Sequence, residues 1–166
     1  MSLKLYVSTW QKYNNGSLGG EWVDTEDFCC ASDFWEHCSK IHKDEEDPEF
    51  DIQDFDYDED WEESLWNHSG KDVDEYYELL DKMQSMNLDN DPELFTVLCD
   101  RDFIKDYAVY QSMDDLCDEF ILSRCDYNKA IFDSIEFYID FEQVKFDLNA
   151  GSNLEELSDG RVVEFF

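Results

Sequence analysis

The stretch Leu3-Lys4-Leu5-Tyr6-Val7-Ser8-Thr9-Trp10 decides how the rest of the chain is read. Leu3, Leu5, Val7 and Thr9 alternate with Lys4, Tyr6, Ser8 and Trp10. A period of two is the mark of a strand with one buried face. Outward from it, Asn14-Asn15-Gly16-Ser17 is a turn signal, and Gly20-Glu21-Trp22-Val23-Asp24 returns as a second strand. Phe28, Ala31, Phe34, Trp35, Cys38 and Ile41 then recur at helical spacing. Asp24, Thr25, Glu26 and Asp27 fall at that helix's N-terminus, where the macrodipole favours negative charge. A third strand over Phe50 to Tyr57 completes a small α+β unit.

The middle of the chain reads helical. Val73, Tyr76, Tyr77, Leu80, Met83 and Met86 form one stripe over residues 72–87. Asp91-Pro92-Glu93 is a helix start with proline in the first turn, and Leu94, Phe95, Val97 and Leu98 give that helix its apolar face. Farther on, Tyr107-Ala108-Val109-Tyr110 is a short strand. Ser112 with Asp115 three residues later is a near relative of the capping box. On the helix that follows, Met113, Leu116, Cys117, Phe120 and Ile121 share one side, and Asp114, Asp115, Asp118 and Glu119 the other. Ile131 to Leu148 reads as further helix, broken near Asp140. Ser158-Asp159-Gly160 between Leu154-Glu155-Glu156-Leu157 and Arg161-Val162-Val163-Glu164-Phe165-Phe166 is a hairpin signal.

The chain has 166 residues, 44 of them Asp or Glu and 12 Lys or Arg, for a net charge of −32. So large a deficit of cations excludes passive nucleic-acid binding, which needs Lys and Arg to neutralise phosphates. It also argues against docking on anionic lipid. High charge with few apolar residues marks disorder, but 42% of this chain is hydrophobic and 16% aromatic, which supplies a core. Self-repulsion favours an elongated fold. The charge is uneven: residues 1–43 hold six acids and four lysines, whereas residues 44–65 hold thirteen acids and no base. No run approaches the roughly 18 apolar residues of a membrane span, and Met1 to Tyr6 lacks the apolar core of a signal peptide. The expected location is cytoplasmic.

Catalytic and metal motifs are weak. None of the signatures for a nucleophile elbow, a Walker A loop, a dinucleotide fingerprint or HExxH occurs in the sequence. Cys29, Cys30, His37, Cys38 and His42 cluster without a common zinc spacing, and Cys38 and Ile41 fall on an apolar stripe. The six cysteines are expected to be reduced, small and buried. Asp54-Phe55-Asp56-Tyr57-Asp58-Glu59-Asp60 opens like an EF-hand loop, then places Glu59 where glycine is needed and Leu65 where a bidentate glutamate is needed. An extended segment with acids outward and rings inward accounts for that alternation. No cofactor and no metal is expected.

The acidic surface has two readings. One is plain solubility or salt adaptation. In the other, carboxylates stand in for phosphates. B-DNA carries one charge per about 1.7 Å, so this charge corresponds to about 54 Å of duplex, or about 16 base pairs. Acids one helical turn apart, such as Asp114 and Asp118, have Cβ atoms about 5–6 Å apart. The candidate carboxylates are Asp44, Glu45, Glu46, Asp47, Glu49, Asp51, Asp54, Asp56, Asp58, Glu59, Asp60, Glu62 and Glu63; then Asp74, Glu75, Glu78 and Asp81; then Asp114, Asp115, Asp118 and Glu119. A chaperone or mimic for a different basic protein would share that surface, and a divalent-cation-binding protein would use the same clusters.

Residues Tyr6 to Trp22 resemble the start of ArdA-type antirestriction proteins, whose pattern Tyr-Asn-x-Gly-x-Leu-x-Gly-x-Trp is matched by Tyr13, Asn14, Gly16, Leu18, Gly20 and Trp22. Tyr138-Ile139-Asp140-Phe141, followed by Asp147-Leu148, is similar to a second stretch of that family. The resemblance implies an elongated α+β chain of three small domains, here 1–58 (sheet plus helix), 59–104 (helical bundle) and 105–166 (α+β). It implies a non-enzymatic DNA mimic that occupies the DNA-binding groove of type I restriction-modification enzymes and protects plasmids, transposons or phages entering a bacterium. It also implies a homodimer joined through the C-terminal domain. For that contact Tyr127, Ile131, Phe132, Ile135, Tyr138 and Phe141 are candidates, at least half of them expected to be core instead.

Overall fold

The computed structural model describes residues 3–17, 19–103, 105–151 and 153–166. Leu18 of the ArdA-like pattern lies outside them. The described residues form an α+β fold with eight α-helices, two short 3-10 turns and two small antiparallel sheets. They divide into two compact units, Met1–Thr96 and Val97–Phe166.

In the first unit, β1 (Lys4–Thr9) is the central strand between β2 (Glu21–Asp24) and β3 (Phe50–Asp56), antiparallel to both. The alternation that marked β1 is realised: Leu3, Leu5, Val7 and Thr9 are buried. Ser8 is buried as well. Trp10 does not continue the strand. The Thr9 hydroxyl accepts from the Lys12 amide, and the chain turns into a short helix, α1 (Trp10–Asn14). Gly16 then takes φ +70°, a left-handed conformation that favours glycine in a tight turn. At Gly20 the constraint is space: a Cβ there would lie 2.7 Å from both the Tyr6 ring and the Val7 carbonyl. Its amide donates to the Tyr6 hydroxyl, and Tyr6 packs on Trp22.

Helix α2 (Ala31–Ile41) begins later than the charge pattern suggested. Thr25–Asp27 is a separate 3-10 turn in which Asp24 caps the Glu26 amide, so those acids serve the turn and not the helix. Ala31, Phe34 and Cys38 are the buried residues of α2. Helix α3 (Asp60–His68) follows β3, and α4 (Val73–Ser85) buries Val73, Tyr76, Tyr77 and Met83 as its stripe predicts. The Tyr77 hydroxyl donates to the Thr25 carbonyl and the Trp35 indole donates to Asp74, which fasten α4 to the 3-10 turn after β2 and to α2. The helices expected over 59–104 therefore lie, up to Thr96, in the same compact unit as that sheet. Helix α5 (Pro92–Asp100) starts at the proline, with the Asp91 side chain accepting from the Leu94 amide.

The second unit is built on the order β4-β6-β5, from β4 (Tyr107–Tyr110), β5 (Asn153–Glu156) and β6 (Val162–Phe165). The β5–β6 hairpin is the one that Asp159-Gly160 signalled. Helices α6 (Met113–Arg124), α7 (Lys129–Ile135) and α8 (Phe141–Gly151) complete the unit, and the break between the last two falls at Ile139 and Asp140. Leu116, Cys117, Leu148 and Val162 form a buried cluster, with Phe120, Phe141 and Val144 packed against it. No helix among the described residues is long and apolar enough to cross a membrane.

Candidate functional site

The carboxylates are sorted into faces by backbone geometry. In β3 the pairing with β1 slips by one residue: Val7 faces Ile52, but Tyr6 faces Asp54. Gln53 is the extra residue of a bulge. Paired in a regular ladder, Gln53 would put Ile52 and Phe55 on opposite faces, because side chains alternate along a strand. The bulge takes it out of the ladder, and Phe50, Ile52 and Phe55 share the face of buried Thr9, Val7 and Leu5. Asp51, Asp54 and Asp56 then share the other face, opposite Ser8, Tyr6 and Lys4. By absorbing the inserted residue, the bulge keeps three acids on a single side of the sheet.

On α6, the Ser112 hydroxyl accepts from the Asp115 amide and sets the start of the helix. Leu116, Cys117 and Ile121 turn inward, which leaves Asp114, Asp115, Asp118 and Glu119 exposed. On α4, Asp74, Glu75, Glu78 and Asp81 lie exposed opposite its buried stripe. Asp114 and Asp115 sit at the N-terminus of α6 and Asp74 and Glu75 at that of α4, where the dipole stabilises them. Asp44, Glu46, Asp47, Glu49, Asp54, Asp56, Asp58, Glu59 and Asp60 are exposed too, while Asp51 and Glu63 are half-buried.

Two of the sequence-predicted acids are not surface groups. Glu62 is 1% exposed, and its Oε2 accepts from the Asp58 and Glu59 amides in a capping box that starts α3. Burial raises its pKa. The Glu45 side chain is 6% exposed and accepts from the Thr9 hydroxyl. Both acids hold the chain in place and present little or no charge to a partner. The signal for Glu62 was present, since Glu at the third position after a helix start is the capping-box residue.

A small cationic anchor, unforeseen in the sequence, lies beside the acidic run. The Lys12 ammonium donates to Nδ1 of buried His42 at 2.8 Å and to Asp44 at 3.0 Å, and lies 3.8 Å from Glu45. The Lys12 contact holds the exposed Asp44 carboxyl below its usual pKa. In α8, Lys145 pairs with Asp114 and Glu142, so Asp114 is partly compensated.

The cysteines and histidines near the start of the chain take separate places. Cys38 is in the core, His42 is held by Lys12, and His37 packs on the Phe28 ring. Among the described residues no three His, Cys, Asp or Glu side chains are arranged to hold a metal ion. None of the six cysteines, all of them described, is in a disulfide. The expectation of burial holds for Cys38, Cys99 and Cys117 and fails for Cys29 and Cys30, which are exposed where the chain enters α2, while Cys125 is half-buried.

The apolar candidates in the second unit also divide. Phe132 is buried and Phe141 packs on the core, so both are structural. Tyr127, Ile131, Ile135 and Tyr138 are exposed, Tyr138 at 84%. Phe137, absent from the candidates, is 92% exposed beside Tyr138.

A family model described as antirestriction protein (ArdA) matches residues 5–163. The chain belongs to the ArdA antirestriction family. No curated protein matches it at a significant level. The ArdA-like residues of the first unit now have physical roles. Gly16 makes the left-handed turn, Gly20 lets β2 approach Tyr6, and Trp22 covers the Tyr6 ring. Tyr13 is exposed and lies edge-on to Trp10.

Proposed function

We propose that this ArdA chain is a non-catalytic inhibitor whose acidic surface mimics B-form DNA and occupies the DNA-binding groove of type I restriction-modification enzymes. The observation that carries the reading is the set of exposed carboxylate rows on β3, α4 and α6, each fixed by strand register or helix phase. Rows set by the backbone keep their spacing without further ordering, as a phosphate backbone does, which lowers the entropic cost of binding. A partner that grips DNA through Lys and Arg would meet the same charge with the same groups. The inhibitor works in the cytoplasm of a bacterium, shielding incoming mobile DNA.

The exposed apolar side chains Tyr127, Ile131, Ile135, Phe137 and Tyr138 support pairing of two copies through the second unit. Association of two chains of −32 each needs a patch poor in charge. The test is the plating efficiency of unmodified phage on a strain with a type I system, with and without the protein. Rescue of plating is expected. No rescue across several type I families would overturn the proposal.

A further inference from the structure

On β2, β1 and β3 the residues Trp22, Tyr6 and Asp54 are direct cross-strand neighbours, so they stand in one row on one face of the first sheet. The opposite face, with Leu5, Val7 and Val23, is buried. In the row, Trp22 is 49% exposed, Asp54 is exposed and Tyr6 is half-buried. The rings are held in place. The Tyr6 hydroxyl accepts from the Gly20 amide, and the Trp22 ring lies 5.4 Å from the Tyr6 ring, centre to centre. We propose that this face is a docking site for an arginine of the restriction enzyme, whose guanidinium packs on the Trp22 and Tyr6 rings and donates to Asp54. The choice of partner rests on the inhibitor reading above, but a mimic of phosphates alone needs no ring.

Three observations select that chemistry. The first is the pairing of rings with a carboxylate. A planar guanidinium stacks on a ring face while its fork of N–H groups reaches an acid, which a lysine ammonium cannot match. The outer strands of the row are about 10 Å apart, two strand spacings, so one guanidinium over Tyr6 reaches both Trp22 and Asp54. The second is charge. Asp51 and Asp56 flank Asp54 on the same face of β3, and Lys4, the one cation among the strand residues of this face, stands between Asp24 and Asp56. The Asp54 Oδ1 accepts from the Phe55 amide, which leaves Oδ2 to a partner. A second copy of this chain, at −32, is repelled by such a face. The third is Ser8, the cross-strand neighbour of Asp51 on this face. It is fully buried, and its hydroxyl has no hydrogen-bond partner among the described residues. Buried hydroxyls are nearly always paired, and a donor lying beside Asp51 would satisfy this one.

Affinity of the full chain for a purified type I enzyme is measured by calorimetry at low and at physiological salt. Trp22→Leu keeps an apolar side chain and removes the ring. It is expected to weaken binding about tenfold, with the salt dependence unchanged because no charge is lost. Trp10→Leu removes a comparably exposed ring on α1, away from this face, and is expected to leave affinity within about twofold. Asp54→Asn should weaken binding as well. The double variant Trp22→Leu/Asp54→Asn should lose less than the product of the two single losses, since one arginine serves both. Circular dichroism verifies that each variant is folded. The full chain is also titrated with acetyl-Gly-Arg-Gly amide and with its lysine counterpart, following the Trp22 indole N–H by NMR. A shift that saturates more tightly with arginine is expected. If the unaltered chain does not bind the enzyme, the inhibitor reading fails, and the arginine peptide then decides the site by itself. Unchanged affinity in Trp22→Leu, an equal loss in Trp10→Leu, or no preference for arginine would overturn the site. So would a change of oligomeric state in Trp22→Leu by light scattering, which would mark this face as a contact between copies.

Discussion

The Lys12 ammonium donates to Nδ1 of His42 at 2.8 Å, and the opposite ring nitrogen of that fully buried imidazole faces the Val7 carbonyl at 3.3 Å. The two bonds assign the tautomer: Nδ1 accepts and Nε2–H donates. They also tie α1 and the centre of β1 to the point where the chain leaves α2 for its most acidic segment. Lys12 thereby fixes where that segment begins.

Replacing Lys12 with Met keeps the stem and removes the donor. The His42 Nδ1 acceptor is then buried and unpaired, which costs about 1–3 kcal/mol. Urea unfolding should show a lower midpoint at unchanged m. Asp44→Asn should shift the midpoint far less, because that carboxylate is exposed. An unchanged midpoint for Lys12→Met would mean that the contact contributes nothing in solution.

Glu62 predicts a pH effect. Its pKa is raised in the folded chain, chiefly by burial. Between its unfolded pKa, about 4.5, and the higher folded one, the native state holds the extra proton. Stability from this group therefore falls as pH rises through that window. Glu62→Gln keeps a cap acceptor and removes the titration. The stability of wild type minus variant, from urea curves at several pH values, should decline across the window and then level off. A flat difference would show that Glu62 titrates as it does in the unfolded chain.

Much of this was legible in advance because the signals were local. Ser112 acts as a cap, Asp159-Gly160 turns the hairpin, and the α4 and α6 stripes bury what their spacing predicts, whereas the Thr9 cap that ends the β1 alternation at Trp10 was not read. The unread parts depend on pairing across the chain. Nothing in Phe50 to Asp56 alone reveals that Gln53 bulges; the register with β1 decides it, and with it which face Asp51 takes. Lys12 and His42 are 30 residues apart and meet only once α1 and α2 are placed. Glu62 and Glu45 looked like the other acids of their run, and only burial separates them.

Salt should stabilise the protein. With −32 spread over 166 residues, self-repulsion in the compact state exceeds that in the expanded chain. Raising ionic strength from about 0.01 M to about 1 M shrinks the Debye length from about 30 Å to about 3 Å. The melting temperature measured by calorimetry should climb steadily over that range with NaCl, and about as much with KCl. A melting temperature independent of salt would show that the acidic faces are too far apart to repel.

Inhibition should respond to clusters of acids and hardly to single ones. An exposed charge pair is worth about 0–1 kcal/mol, so one Asp→Asn change on α6 should cost at most about fivefold in affinity for the restriction enzyme. The triple change Asp115→Asn/Asp118→Asn/Glu119→Gln should cost far more, and the loss should shrink as salt rises. Asp114 provides an internal control. Its carboxylate is 2.8 Å from the Lys145 ammonium, whose pKa its hydrogen bond raises, so it offers a partner less net charge than Asp118 does. Asp114→Asn should therefore be the mildest of the single changes on this helix, and Lys145→Met should leave inhibition equal or better by uncovering it. Were a single substitution to abolish inhibition in a folded protein, the interaction would be concentrated at one residue, and a distributed mimic of phosphates could not explain it.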